Sequence, residues 1–241
     1  MDASRFMQDV ASHVAASKLQ GPDAHKKALT GLLRDNAHRH RMHDVFPDFV
    51  ELSALCFSIA VDKLQLEKRS ARFGEIVKRY TPDELARFPR MLAVLVLWLE
   101  CGHADRLGDL FMSLEIANHH GGQFFTPYEL SSLMARLTLG DVRAQIEQQG
   151  FILFNEPACG AGGMLIACAD AIRSQGLQPH QVMHATAVDI DVTAVHMTYL
   201  QLSLLGIPAI VIHGNALTVD EWDHWVCLLY TSDAADDTPC V

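Results

Sequence analysis

The chain has 241 residues, 49% of them hydrophobic and 20% charged, with a formal net charge of −10. That is enough chain for one domain with an appendage or two small domains, and the composition is that of a folded protein rather than a disordered one. The longest apolar stretch, residues 91–99, is about half of what a bilayer crossing needs, the first residues lack an apolar leader, and six cysteines without CxxC spacing argue against a disulfide framework or a zinc cluster. Membrane, secreted and zinc-finger classes are set aside, a cytoplasmic location is expected, and the net charge speaks against a simple basic nucleic-acid binder.

Charge divides the chain. Residues 1–115 hold 16 basic and 16 acidic side chains, whereas residues 116–241 hold three arginines against 13 acids. So uneven a split predicts two domains, at 1–115 and 116–226. The first reads as helical, with apolar residues at helical spacing in Phe6, Val10 and Val14 and again from Phe46 to Ile59. Gly21-Pro22-Asp23 ends one helix and opens the next, and Thr81-Pro82-Asp83-Glu84 has the form of a capped helix start. Pro89 is expected to open a buried helix over residues 91–99. The basic run at residues 34–43 reads as a solvated turn or helix face in preference to a phosphate patch. This half is a small helical bundle, and its sequence assigns it no chemistry.

From about Gly121 the pattern changes to strand, helix, strand, helix, strand. Strands are expected at residues 151–154, 185–189 and 209–212, with helices over 164–174 and 192–205 between them. That alternation predicts an α/β domain with a doubly wound, Rossmann-like parallel sheet, in which ligands bind at the carboxyl ends of strands. Each strand ends on a candidate group. The first runs into Glu156-Pro-Ala158-Cys-Gly160-Ala-Gly162-Gly, where glycines admit a ligand to the backbone and the next helix offers free N–H groups. The second ends at Asp189, placed for ribose hydroxyls, and the third at Gly214-Asn215, whose amide could read an adenine edge. Each piece alone is weak, but in this order they fit a ligand containing adenosine. Cys159 reads as a small residue in a tight turn, not a nucleophile.

These residues resemble a known family. Residues 156–165 are similar to motif I of the N6-adenine DNA methyltransferases, especially the modification subunit of type I restriction-modification systems. Gly122-Gln123-Phe124-Phe125-Thr126-Pro127-Tyr128-Glu129-Leu130 resembles motif X of that family, Val188-Asp189-Ile190-Asp191 motif II, and His213-Gly214-Asn215-Ala216-Leu217 motif III. The resemblance covers about residues 105–222. It implies a helical N-terminal domain before a methyltransferase domain that uses S-adenosyl-L-methionine, with DNA and a specificity subunit as partners. It also implies roles: Gln123, Phe125, Thr126 and Pro127 beside the methionine moiety, Glu156 and the backbone at 158–162, including Ala158, Gly160 and Gly162, at its amino and carboxylate groups. Asp189 would hold the ribose, Ile190 would pack on the adenine, and Asn215, where many relatives carry Asp, would face the adenine amino group. No metal ligand is implied.

Transfer to adenine also needs a pocket for a flipped base, which the family builds from an Asn/Asp-Pro-Pro-aromatic motif beyond motif III. No two of the nine prolines are adjacent, so catalytic residues are not assigned, the methyltransferase domain is expected to be truncated, and the chain is expected to be inactive alone. Residues 227–236 back-translate to a sequence resembling a transposon-end sequencing adapter, so the tail at 227–241 is expected to be non-native. A non-catalytic, S-adenosylmethionine-binding regulatory protein is the alternative reading. An NAD-dependent enzyme fits less well, because the turn lacks GxGxxG spacing.

Overall fold

The structure is a computed structural model that describes residues 1–114 and 124–227. It divides into two compact units, Met1–Phe125 and Thr126–Val241. No helix among the described residues is long and apolar enough to cross a membrane.

The first unit is all helical: α1 (Ala3–Ala16), α2 (Pro22–Asn36), α3 (Met42–Val61), α4 (Leu66–Val77), α5 (Pro82–Leu85), α6 (Arg87–Glu100) and α7 (Arg106–Ser113). Helix α6 is apolar almost all round, the pattern of a helix covered on every side, and it packs against α1, α2, α3, α5 and α7. Met91, Leu92, Leu95 and Trp98 are buried along it. Thr81 forms the expected capping box with Glu84, but the helix it starts is one turn long. Pro89 does not open α6; it sits in its first turn, where a backbone N–H would lack an intrahelical partner anyway. In the basic run, Arg39 and His40 lie 3.9 and 3.6 Å from the Glu84 carboxylate.

The second unit is an α/β layer: α8 (Tyr128–Leu139), α9 (Arg143–Gln149), β1 (Ile152–Glu156), α10 (Gly163–Ser174), α11 (Pro179–Val182), β2 (Met183–Asp189), α12 (Val192–Leu204), β3 (Ala209–Asn215) and β4 (Asp220–Val226). The sheet order is β1-β2-β3-β4, with the first three strands parallel and β4 antiparallel to β3. Two successive right-handed crossovers in one direction place α10 and α12 on the same face, and β2 alternates buried with half-buried residues accordingly. The described residues thus carry one winding of the expected doubly wound sheet. Strand β4 was not expected, since its sequence DEWDHWV lacks an apolar run. It is held by pairing with β3 and by Trp225, whose ring meets His196 at 4.8 Å and Tyr199 at 5.1 Å.

Helix α8 turns Ala135 inward onto Ala167, Cys168 and Ala171 of α10. Its opposite face, Leu130, Leu133, Met134 and Leu137, is exposed at i, i+3, i+4, i+7 spacing. Strand β1 is an edge strand among the described residues, and Leu153 on it is 70% exposed.

Candidate functional site

The register staggers the strand ends. Glu156 pairs with Ala187, so β2 runs two residues further, to Asp189; Asp189 pairs with His213, and β3 continues to Asn215. The three side chains expected to meet a ligand therefore stand in steps along one edge of the sheet. The loop from β1 to α10 is docked onto this edge by its backbone, Cys159 N–H donating to the Val188 carbonyl at 2.9 Å.

Asp189 is the hub. One carboxylate oxygen accepts from the Gly160 N–H at 2.8 Å and the other from the Asp191 N–H at 2.9 Å. The residue is only 8% exposed, and burial raises its pKa above the ordinary 3.8 despite those bonds. Helix α12 is capped by Asp191, whose carboxylate accepts from Thr193 N–H. Glu156 accepts a long bond from Ala158 N–H at 3.4 Å, and burial, with the Asp189 charge adding to it, raises its pKa too.

Gly160 and Gly162 both have positive φ, 54° and 88°, a conformation other residues adopt only under strain. At Gly162 a side chain would also meet Thr198 Oγ1 at 3.2 Å. Two fully buried residues of α12 hold the loop from beneath: Thr198 Oγ1 donates to the Gly160 carbonyl and Gln201 Nε2 to the Ala161 carbonyl, each at 2.8 Å. Neither was expected from the sequence. Their signal was present, however, in two polar side chains three residues apart on a helix that is mostly buried, since such groups must find partners. Cys159 is buried in the loop with its thiol pushed up to about 12, as suits a packed residue rather than a nucleophile.

The remaining expected residues divide. Ile190 follows Asp189 with its side chain 63% exposed, free to lie against a flat ring. Asn215 Oδ1 accepts from Leu217 and Thr218 N–H at 3.0 and 3.4 Å, an Asx turn into β4. The oxygen that would receive an adenine amino group is therefore committed, and Nδ2 is what Asn215 can offer. Pro127 precedes α8 and its carbonyl accepts from Leu130 and Ser131 N–H; Thr126 is exposed beside it. No hydrogen bond among the described residues ties either to the glycine loop. Phe125 belongs to the first unit, its ring 5.0 Å from Phe111, and Gln123 lies outside the described residues.

Residues 105–235 match the family model described as N-6 DNA Methylase. The chain belongs to the N-6 DNA methylase family. The match ends nine residues past Val226, and residues 228–241 of the tail lie outside those described. The chain is also 22% identical over 236 residues to the type I restriction enzyme MpnII methylase subunit of Mycoplasma pneumoniae, covering 93% of this chain and 36% of that protein. It thus spans about a third of that relative's length. Among solved structures it is similar to a Listeria monocytogenes protein described as a class I S-adenosylmethionine-dependent methyltransferase, with a TM-score of 0.44, 15% identity and coverage of 80% and 54% of the two chains. It is likewise similar to the methyltransferase subunit of a type I restriction-modification system from Streptococcus thermophilus, with a TM-score of 0.41, 14% identity and coverage of 92% and 60%. Both are distant likenesses, and nothing about this chain's chemistry follows from them.

S-adenosylmethionine is the cofactor that goes with the family, and the strand-end residues fit it. The Asp189 carboxylate, met by the backbone N–H groups of Gly160, Asp191 and Ile190, has four acceptor positions and so keeps capacity for a hydroxyl. Glu156 would offer a carboxylate to an ammonium group, and Gly160 and Gly162 would present backbone with no Cβ in the way.

Proposed function

We propose that this chain is the cofactor-binding part of a type I-like modification methyltransferase, whose whole protein moves a methyl group from S-adenosylmethionine to N6 of adenine in DNA and works with a specificity subunit. The observation that carries this reading is the Asp189 carboxylate bridging the glycine loop and the end of β2 while retaining acceptor capacity. When bound, the cofactor supplies an electrophilic methyl group on a sulfonium. The protein's part is to hold it. Asp189 accepts from the ribose hydroxyls, Ile190 covers the adenine, and Glu156 with the loop backbone takes the amino-acid end. The two carboxylates also set a negative field suited to a ligand with sulfonium and ammonium charges. The outward apolar stripe of α8 and the open β1 edge support a larger protein around this unit, since contiguous exposed apolar surface marks an interaction face.

Isothermal calorimetry with S-adenosylmethionine and with NAD tests the cofactor part: saturable binding of the first alone is expected, and binding of NAD in its place overturns the reading. Incubation with tritiated cofactor and duplex DNA tests the rest. The chain alone is expected to leave adenine unmethylated, because no Pro-Pro-aromatic segment is present in it.

Asn215 gives a second test. In Asn215→Asp one oxygen keeps the turn bonds and the other becomes an acceptor for the adenine amino group. One added hydrogen bond is worth about 0.5–1.5 kcal/mol, so the Kd for S-adenosylmethionine should fall roughly three- to tenfold. An unchanged or weaker Kd would take Asn215 out of the adenine site and leave it to the turn.

A further inference from the structure

Helices α1, α2 and α6 leave a groove of about 720 Å3 open along the surface of the first unit. Its floor is apolar, built from Ala28 and Leu32 of α2 and Ala93, Val94 and Leu97 of α6. Cations stand on its rim: Lys18 in the α1–α2 connection, Lys27 on α2 and Arg90 on α6. Among the described residues none of the three has an ion-pair partner, and Asp35 is the carboxylate lining the groove. In a half of the chain whose 16 basic and 16 acidic side chains balance, this is a local excess of positive charge.

A floor and a rim of these kinds ask for two things from one occupant. A nucleic-acid backbone would use the cations and leave the apolar floor uncovered. A helix with basic flanks would use the floor and be repelled by the rim. An amphipathic helix with carboxylates beside its apolar stripe satisfies both, the floor supplying most of the affinity and the rim the choice of partner. We propose that this groove takes an acidic amphipathic helix of a partner protein. Ala24 and Asp35, both lining it, are separated by about 16 Å of helix rise, so the bound segment is about three turns long with apolar anchors at i, i+3, i+4 and i+7.

Gly31 lines the same groove from the interior of α2, where glycine costs about 1 kcal/mol of helix stability relative to alanine. A Cβ there would meet nothing within 4 Å, so no contact inside the protein calls for glycine. What it does is keep the floor low where a partner's backbone would pass. Gly31→Leu therefore fills the groove without entering the core, and it favours the helix rather than breaking it.

The test uses the full chain and two fluorescein-labelled helical peptides of about 15 residues. Both carry the same leucine stripe, one flanked by glutamates and the other by lysines, and binding is read by fluorescence anisotropy. The acidic peptide is expected to bind at least about tenfold tighter. Gly31→Leu should abolish that binding with helical circular dichroism unchanged or increased, and Lys27→Glu with Arg90→Glu should reverse the preference. Equal binding of the two peptides, or acidic-peptide binding that survives Gly31→Leu, overturns the proposal. Displacement of the acidic peptide by a short DNA duplex overturns it too, by assigning the rim to phosphates. The site is distinct from the strand-end residues, so the outcome is independent of cofactor binding.

Discussion

Asp189→Ala is expected to abolish measurable S-adenosylmethionine binding and to destabilise the second unit by roughly 2–4 kcal/mol. Two effects add. The variant loses the acceptor proposed for the ribose, and it leaves the Gly160 and Asp191 N–H groups without the two carboxylate oxygens that accept from them at 2.8 and 2.9 Å. An unsatisfied buried donor costs about 1–3 kcal/mol. Urea denaturation followed by far-ultraviolet circular dichroism measures the stability loss, and calorimetry the binding. A variant that binds normally would remove Asp189 from the site.

The same carboxylate makes binding and stability diverge with pH. Burial raises the Asp189 pKa in the folded chain above 3.8, so the folded state holds this proton more tightly than the unfolded chain does. Its electrostatic cost is full above the raised folded pKa and is relieved as pH falls through that value toward 3.8. Binding needs the ionised acceptor and is lost across the same window, with Glu156, whose pKa is also raised, adding to the loss. Relative to Asp189→Asn, which cannot titrate, the wild-type chain should gain stability over that window while its affinity for S-adenosylmethionine declines. An affinity that is flat down to pH 3.8 would contradict the assignment.

How much of this was legible depends on which atoms did the work. Strands β1, β2 and β3 were readable because short apolar runs end abruptly in glycine or carboxylate, and the glycine loop because its backbone must turn with positive φ at Gly160 and Gly162. Asp189 was readable as an acid at a strand end, but its role in holding the loop was not, since that depends on β1 and β2 being neighbours in register. Strand β4 was hidden because four of its seven residues are charged or histidine; it is fixed by partners on β3 and α12 rather than by its own pattern. Asn215 was legible as a polar group at a strand end, but not its Asx turn, which the side chain makes locally with Leu217 and Thr218. Pro89 misled for a similar reason. A proline is disruptive in a helix only where its missing N–H was needed, and the first turn does not need it.

The double variant Thr198→Val, Gln201→Met separates holding the loop from holding the fold. Both side chains are fully buried, and each donates one bond at 2.8 Å to a carbonyl of the glycine loop. The replacements keep volume and remove the donors, so α12 can still pack on β2 and β3 through its apolar residues. The Gly160 and Ala161 carbonyls lose their tethers, and the loop gains conformations in which its N–H groups no longer converge. With about 1 kcal/mol or more at stake per bond, S-adenosylmethionine affinity should fall roughly tenfold for either single change and more for both, short of strict additivity because the two bonds share one loop. The discriminating measurement is amide hydrogen exchange. Residues 160–162 should exchange faster in the variant while the amides of β2 and β3 keep their protection, which a general loss of packing would not leave intact. Thr198→Ser, retaining a hydroxyl in reach of the Gly160 carbonyl, should recover most of the affinity. If the double variant binds as tightly as the parent, with unaltered exchange in the loop, α12 is only a packing element, and the loop is set by Asp189 and the Cys159–Val188 backbone bond.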